Sequence, residues 1–177
     1  MRVRSATGVR GRRFVESADA AGAQIRPATE ADQVEITRIV RSSNITPFWL
    51  AWPRFLVAEE QGRIVGVGQV KQHGDGSREL ASIATIPDYR HKGVATAVVN
   101  ALLARETSVL FLTCRHQLEP FYNRFGFVTA GREEMSPYFR RIERITNPPR
   151  FLRRLWGEGD TRILIMKRAA DPSTTAP

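Results

Sequence analysis

The stretch 79–103 constrains the fold most, because its hydrophobic period changes within a few residues. The run 80–86 is short, apolar and contains β-branched residues, which predicts a buried strand ending before Pro87. From Gly93 onward, apolar residues recur at the spacing of a helical stripe. They are Val94, Ala97, Val98, Ala101 and Leu102. The sequence therefore predicts a buried strand that feeds directly into a helix through a short basic loop, 90–95.

This loop has the properties of an anion-binding site. The first N–H groups of a helix have no intrahelical acceptors, and the helix dipole adds positive potential at the same end. Gly93 allows the backbone to approach a phosphate closely. We therefore predict that the loop and the first helical turn hold a pyrophosphate. The predicted contacts are Arg90, His91, Lys92, Gly93, Val94, Ala95 and Thr96.

Two motifs give the chain a resemblance to a known family. Arg90-x-x-Gly93-x-Ala95 after a strand resembles the acetyl-CoA-binding motif of the GNAT (GCN5-related) N-acetyltransferases, Arg/Gln-x-x-Gly-x-Gly/Ala. The segment 118–127 reads as a short helix that stops at Gly126, and its Tyr-x-x-x-Gly-Phe pattern resembles the family's second motif. The opening 25–32, Ile-Arg-Pro-Ala-Thr-x-x-Asp, is also similar to the start of a GNAT domain. The resemblance extends over about residues 24–168.

The resemblance implies an α/β (α+β) fold, a single GNAT domain with a central mixed, mostly antiparallel, splayed sheet flanked by helices. The periodicities give the order strand, helix, three strands, helix, which favours a mixed sheet over a doubly wound one. Gly66 and Gly68 lie inside a predicted strand, which indicates close backbone approach or a bulge. The expected organisation is a disordered basic tail (1–23), the domain (24–168) with a basic insertion before the last strand (136–160), and a disordered C-terminal tail (169–177).

The resemblance also implies an activity: acetyl-CoA-dependent transfer of an acetyl group to a primary amine, by direct attack in a ternary complex and without a metal. The backbone of Ala84, Thr85 and Ile86 is then expected to contact the pantetheine arm. Tyr122, in the second motif, is expected beside the CoA sulfur, as an acid for the leaving thiolate or a stabiliser of its charge. Family members often carry Asn seven residues before this tyrosine and Ala four before, where this chain has Arg115 and Leu118.

Glu79 is the candidate base, because an ammonium group must lose a proton before it can attack a thioester. It precedes Arg90 by eleven residues, the spacing of the catalytic glutamate in the histone-acetyltransferase branch of the family. The alternative is a solvated glutamate, or one paired with Arg78 or Arg54.

Two further places in the sequence leave alternatives open. The aromatic segment 44–53 offers Phe48, Trp49 and Trp52 as the lining of a substrate pocket, or as a cap over the core. Cys114 is either an acyl-carrying nucleophile or, as we favour, a buried strand thiol.

Composition limits the classes of partner. The net charge of +9 favours polyanionic partners, of which CoA is one, and nucleic acid is the competing interpretation. The aromatic residues do not interleave with the basic ones as in a stacking platform, so we expect no nucleic-acid partner. A sensor that binds acyl-CoA without catalysis remains an alternative to an enzyme.

The sequence says less about the cellular location and the oligomeric state of the protein. A single cysteine excludes an intrachain disulfide and favours the cytoplasm, and no apolar run approaches the ~20 residues of a membrane span. An organelle transit peptide is the alternative for the Arg-rich start. The insertion 136–160 predicts a basic amphipathic helix that covers the acceptor site, forms a homodimer contact or binds an acidic surface.

Overall fold

A computed structural model describes residues 22–43, 49–147 and 162–170 of the 177-residue chain. The tails predicted for 1–23 and 169–177, Phe48, and the second half of the insertion lie largely or wholly outside these ranges. The strands are β1 (Gln24–Pro27), β2 (Phe55–Glu60), β3 (Arg63–Gln72), β4 (Arg78–Thr85), β5 (Leu110–Arg115), β6 (Val128–Thr129) and β7 (Ile163–Arg168). The helices are α1 (Gln33–Ser42), α2 (Val94–Leu103), α3 (Glu119–Asn123) and α4 (Pro137–Thr146).

The seven strands of the described ranges belong to one sheet with the order β1-β2-β3-β4-β5-β7-β6. Neighbouring strands are antiparallel except β4 and β5, which are parallel. The sheet is therefore mixed and mostly antiparallel, and the predicted fold class and element order are confirmed. None of the helices in the described ranges could span a bilayer, since the longest have ten residues and a crossing requires about 20.

Local sequence explains the connections in the first half of the chain. Gln61 and Gly62 both have positive φ, 50° and 76°, as the two-residue turn of the β2–β3 hairpin requires. Before α1, the Asp32 carboxylate accepts hydrogen bonds from the N–H and the hydroxyl of Thr29, at 2.7 and 2.9 Å. Arg26 of β1 donates to the same carboxylate at 2.7 Å, which joins the first strand to the start of the helix.

Two glycines of β3 bring α2 close to the sheet. A Cβ built on Gly66 would stand 2.5 Å from Val94 Cγ1, and one on Gly68 would stand 2.7 Å from Val98 Cγ1. Only hydrogen fits at these two positions, so the close approach predicted for them is confirmed. We call this side of the sheet the α2 face.

The opposite side of the sheet is covered next to β5 by α4. Phe139 of α4 is fully buried, and its ring stacks on Phe111 of β5 with 4.7 Å between centroids. Because side chains alternate along a strand, Leu110, Leu112 and Cys114 of β5 point to the α2 face, where they join the main core cluster. We call the side covered by α4 the α4 face. The helix predicted within the insertion is thus present and packs against the sheet.

Candidate active site

The centre of the candidate site is the point where β4 and β5 separate. The two parallel strands pair only at Arg78 with Leu110 and at Glu79 with Phe111, although both strands continue for several residues. Beyond Glu79 the edge of β4 that faces β5 has no register partner in that strand. The sheet therefore opens into a gap in its middle, the splay that the resemblance implied.

The backbone of β4 offers hydrogen-bonding groups to this gap. Ile86 donates its N–H to the carbonyl oxygen of Val65 at 3.0 Å, so that N–H points to β3. Successive residues of a strand direct their backbone groups to opposite sides, and the N–H and C=O of Thr85 therefore face the gap. Of the three predicted pantetheine contacts, Thr85 has the suitable orientation, whereas the N–H of Ile86 is already used.

The side chain of Thr85 gives a second indication of a ligand. Its Oγ1 is buried and has no hydrogen-bond partner among the described residues, an arrangement that is rare for a hydroxyl in a folded protein. Thr85 is in register with Gly66, which lies against Val94, so this hydroxyl is on the α2 face near the first turn of α2. A polar molecule that enters from the gap would satisfy it.

The predicted anion loop lies at the start of α2. Gly93 is the N-cap residue with φ of 85°, a left-handed conformation that favours glycine. The first hydrogen bond of the helix runs from Ala97 N–H to the carbonyl oxygen of Gly93 at 3.0 Å. The N–H groups of Val94, Ala95 and Thr96 precede that bond and have no acceptor inside the helix.

The basic side chains of this loop lie at the surface, and Lys92 Nζ rests over the Tyr89 ring, 4.9 Å from its centroid. Arg90, His91 and Lys92 are exposed, and His91 has φ of 62°. Together with the N-terminal turn of α2, they form a positive surface at the end of the gap. The residues present therefore fit the pyrophosphate and pantetheine of a CoA-type molecule: backbone donors, cations and a buried hydroxyl without a partner.

Tyr122 of α3 lies on the α2 face. Its side chain is 8% exposed and packs edge-to-face against Phe121 and Phe127, at centroid distances of 4.9 and 6.2 Å. Burial, with a smaller contribution from the nearby Cys114 thiol, holds the pKa of the Tyr122 phenol well above its usual value. The phenol is therefore protonated at neutral pH, as an acid must be.

Cys114 is a buried thiol. It is 7% exposed, its Sγ lies 3.8 Å from Met166 Sδ, and burial raises its pKa to about 11. A thiol in this state is a poor nucleophile, because the thiolate is the reactive form. The interpretation of Cys114 as a packing residue agrees with this geometry.

Glu79 is on the α4 face, since it is in register with Phe111. Its partner is His73 at the end of β3, with 3.0 Å between Glu79 Oε2 and His73 Nε2. The neighbouring Arg78 is instead paired with Glu106, 28 residues away, through an Nε–Oε2 distance of 2.7 Å. Neither arginine that the sequence suggested as a partner binds Glu79.

The aromatic segment is only partly described. Trp49 is 74% exposed, and Trp52 packs partly buried against the main core cluster. The Gln33 side chain joins this segment to α1 by accepting the N–H of Trp52 at 2.9 Å. The pocket role of Phe48, Trp49 and Trp52 stays a prediction, and Trp52 also serves the core.

The sequence did not single out three residues that surround Glu79. His73 binds its carboxylate, Tyr138 of α4 stacks on His73, and Lys71 is opposite Glu79 in the β3–β4 register. The run His73-Gly-Asp-Gly-Ser77, whose composition is typical of a turn, was the available signal, because it places a histidine just after a strand and close to Glu79. Within the described ranges, no group of three or more potential metal ligands is found.

Comparison with known proteins gives a family match for the central part of the chain. Residues 51–129 match the family model described as the acetyltransferase (GNAT) domain, and this segment contains both predicted motifs. N-acetylglutamate synthase from Neisseria gonorrhoeae, solved with coenzyme A and N-acetyl-glutamate, is similar with a TM-score of 0.67 and 19% identity. The match covers 87% of this chain and 36% of that one, so this chain spans about a third of that protein's length.

Two shorter proteins match over almost their whole length. Rv2747 from Mycobacterium tuberculosis, solved in complex with CoA, has a TM-score of 0.62 and 19% identity, with 83% of this chain and 99% of that chain covered. The ribosomal-protein-S18-alanine N-acetyltransferase from Escherichia coli has a TM-score of 0.57 and 17% identity, with coverages of 88% and 99%. At such identities the likeness establishes the fold. The family match adds that residues 51–129, which hold both motifs, are similar to the GNAT acetyltransferase domain.

Proposed function

We propose that this chain is an acetyl-CoA-dependent N-acetyltransferase that acylates a primary amine by direct attack in a ternary complex. The observation that carries the proposal is the gap between β4 and β5, which begins after the Glu79–Phe111 pair. A phosphate-binding loop lies at its end and a candidate acid and base lie on its two sides. The CoA-bound state of two similar structures, N-acetylglutamate synthase and Rv2747, supports the choice of ligand.

The binding of acetyl-CoA would use the α2 face. The N–H groups of Val94, Ala95 and Thr96 would donate to the pyrophosphate, with Arg90 and Lys92 adding positive charge. The backbone and hydroxyl of Thr85 would bind the pantetheine arm in the gap. Acetyl-CoA supplies the thioester whose acyl group is transferred.

The acceptor would approach from the α4 face, where Glu79 lies. Glu79 would take a proton from the ammonium group, directly or through a water, so that the nitrogen has a lone pair for the attack. The attack forms an amide bond and breaks the carbon–sulfur bond. Tyr122, on the other face, would give its proton to the departing sulfur, and the second proton that the nitrogen loses on becoming an amide would return through water to the phenolate. Holding the amine and the thioester together in the gap would contribute much of the rate.

The test has two arms on the full chain. Isothermal titration with acetyl-CoA and with free CoA measures binding, and thiol release is followed with amines of four kinds: small amines, amino acids, peptide N-termini and peptide lysines. Because similar structures include a glutamate-related synthase and an N-terminal alanine acetyltransferase, glutamate and an alanine-starting peptide belong in the panel.

The outcomes separate the candidate functions. Binding with acceptor-dependent thiol release establishes the transferase and its acceptor class. Binding without turnover on any amine supports a CoA sensor instead. Absence of binding overturns the proposal, because the loop at 90–96 then does not hold a phosphate.

A further inference from the structure

We propose that His73 is a positioning residue that fixes the carboxylate of Glu79 as a base, and that Tyr138 of α4 holds the imidazole in place. The inference rests on the proposed function, because it assigns a role within that reaction. It also gives part of the insertion a function, since α4 lies within the segment 136–160.

The hydrogen bond between the two side chains leaves one carboxylate oxygen free. His73 Nε2 lies 3.0 Å from Glu79 Oε2, and the side chains are 13% and 12% exposed. A neutral imidazole with its proton on Nε2 donates to Oε2. Oε1 has no hydrogen-bond partner among the described residues and remains available to accept the proton of an amine.

Two aromatic side chains of α4 contact the imidazole of His73 and hold it in place. The Tyr138 ring stacks on it with 3.6 Å between centroids and 15° between planes, and Phe139 meets it edge-on at 5.7 Å. The N–H of Tyr138 donates to Asp75 Oδ2 at 2.8 Å, a contact between residues 63 apart in the sequence. The start of α4 is thereby attached to the β3–β4 turn that carries the histidine.

The turn itself is closed, so the position of the histidine is well defined. His73 N–H donates to the carbonyl oxygen of Ser77 at 2.9 Å, and Gly76 N–H donates to the carbonyl oxygen of His73 at 3.0 Å. The Asp75 carboxylate accepts the N–H of Ser77 at 3.0 Å. The closed turn and the stacked ring thus hold the imidazole beside the Glu79 carboxylate at the start of the gap.

Charged and titratable groups face the pair from each neighbouring element. Lys71 of β3 is opposite Glu79, and its pKa is lowered by burial, although Glu79 counteracts the shift. From α4, the Tyr138 phenol faces the pair, and its pKa is raised by burial and then by Glu79 and Asp75. The Glu79 carboxylate thus lies among a lysine, an imidazole and a phenol, each contributed by a different part of the chain.

Two variants separate hydrogen bonding from packing. His73→Phe keeps a ring that can stack on Tyr138 but removes the donor to Glu79. His73→Gln loses the ring and can place an amide N–H near the position of Nε2. If His73 only packs against Tyr138, His73→Phe should keep more activity than His73→Gln. If His73 positions Glu79, His73→Gln should keep more activity than His73→Phe.

A second pair of variants tests the contribution of α4. Tyr138→Phe keeps the stacking ring, and Tyr138→Ala removes it.

The first measurement does not depend on activity. Nitrogen-15 NMR of labelled imidazoles, assigned by the signal lost in His73→Phe, tells which ring nitrogen of His73 carries the proton in the neutral form. We expect Nε2. A neutral ring protonated only on Nδ1 overturns the proposal, because such a ring cannot donate to Glu79.

The second measurement is steady-state kinetics over a pH range. In His73→Phe we expect kcat to fall roughly tenfold or more, with unchanged affinity for acetyl-CoA and an acidic limb of the kcat profile displaced to higher pH. His73→Gln should regain most of the rate and the original limb. A His73→Phe variant with wild-type kcat, or two variants that fail equally, overturns the positioning role. The turnover of the wild-type protein separates the two failures. If the wild-type protein binds acetyl-CoA but acetylates no amine, both the proposed function and the role of His73 are overturned. If it acetylates an amine and the His73 variants do not behave as expected, only the role of His73 is overturned.

Discussion

Gly66 of β3 lies against Val94, the first residue of α2, so closely that a Cβ on Gly66 would stand 2.5 Å from Val94 Cγ1. The same glycine is in register with Thr85, whose buried hydroxyl has no partner. A single position without a side chain therefore sets the distance between β3 and the helix turn that is expected to bind phosphate.

Gly66→Ala should displace the start of α2. The added methyl group has to push away a β-branched side chain, and such overpacking costs about 1–3 kcal/mol. We expect the free energy of unfolding to fall by that amount in urea titrations. We also expect the Kd for CoA, measured by calorimetry, to rise roughly tenfold, because the N–H groups of the first turn of α2 can donate to a phosphate only from the correct position.

Gly74→Ala is the matched control, since nothing lies within 4 Å of a Cβ at that position. It should change neither stability nor CoA affinity. Wild-type CoA affinity in Gly66→Ala, together with the expected loss of stability, would mean that the first turn of α2 does not contribute to the site.

Tyr122→Phe should separate binding from turnover. The substitution removes only the hydroxyl and keeps the ring that packs against Phe121 and Phe127. We expect acceptor-dependent thiol release to fall by ~10² or more, with the Kd for acetyl-CoA unchanged, if the phenol is the acid. Unchanged turnover would remove Tyr122 from the mechanism. Tyr89→Phe, at a half-buried tyrosine bonded to Glu60, is the control and should keep wild-type activity.

The elements around the gap were predictable because their signals are local. The change from strand to helical period located β4 and α2, and Gly126 marked the end of α3 with φ of 79°. Boundaries differ by a residue or two: β4 runs from Arg78 to Thr85, whereas the predicted strand covered 80–86. Pairing with neighbouring strands decides where a strand ends, and an apolar pattern does not contain that information.

The environment of Glu79 was not predictable, because distant segments supply it. Its face depends on the register between β4 and β5, and the stacking of Tyr138 on His73 depends on where α4 docks. Charge alone suggested Arg78 as a partner. That arginine follows the alternation of β4 and pairs with Glu106, which comes from beyond the end of α2.

Cys114 should react slowly in the folded protein. Burial raises its pKa to about 11, so at pH 8 little thiolate is present and the sulfur is hardly accessible. With a thiol-reactive disulfide, we expect one equivalent to react rapidly in denaturant and only slowly in buffer, a clean signal because the chain has one cysteine. Cys114→Ala should keep turnover within about threefold of the wild-type value. If Cys114 were a nucleophile, its removal would lower turnover by about 10² or more. Loss of all activity in a folded Cys114→Ala protein would restore the acyl-carrying hypothesis.

Asp32 should make folding stability depend on pH. The hydrogen bond from Arg26 is the main reason that the pKa of the Asp32 carboxyl is held well below its usual range, and the Thr29 donors add to it. A carboxyl with a depressed pKa in the folded state stabilises the fold above its unfolded pKa of about 3.9, and the contribution is lost as pH falls through the lower folded value. Asp32→Asn should therefore lower the free energy of unfolding by about 2 kcal/mol at pH 7.

The difference between Asp32→Asn and wild type should shrink as pH falls below about 4, measured by urea titration at several pH values. Glu35→Gln, which breaks an exposed pair with Arg38 within one helix, is the control and should cost less than about 0.5 kcal/mol at any pH. A difference that stays constant down to pH 2 would show that Asp32 acts by packing and not by its charge. The capping contact at Thr29 would then account for the start of α1 without the ion pair to Arg26.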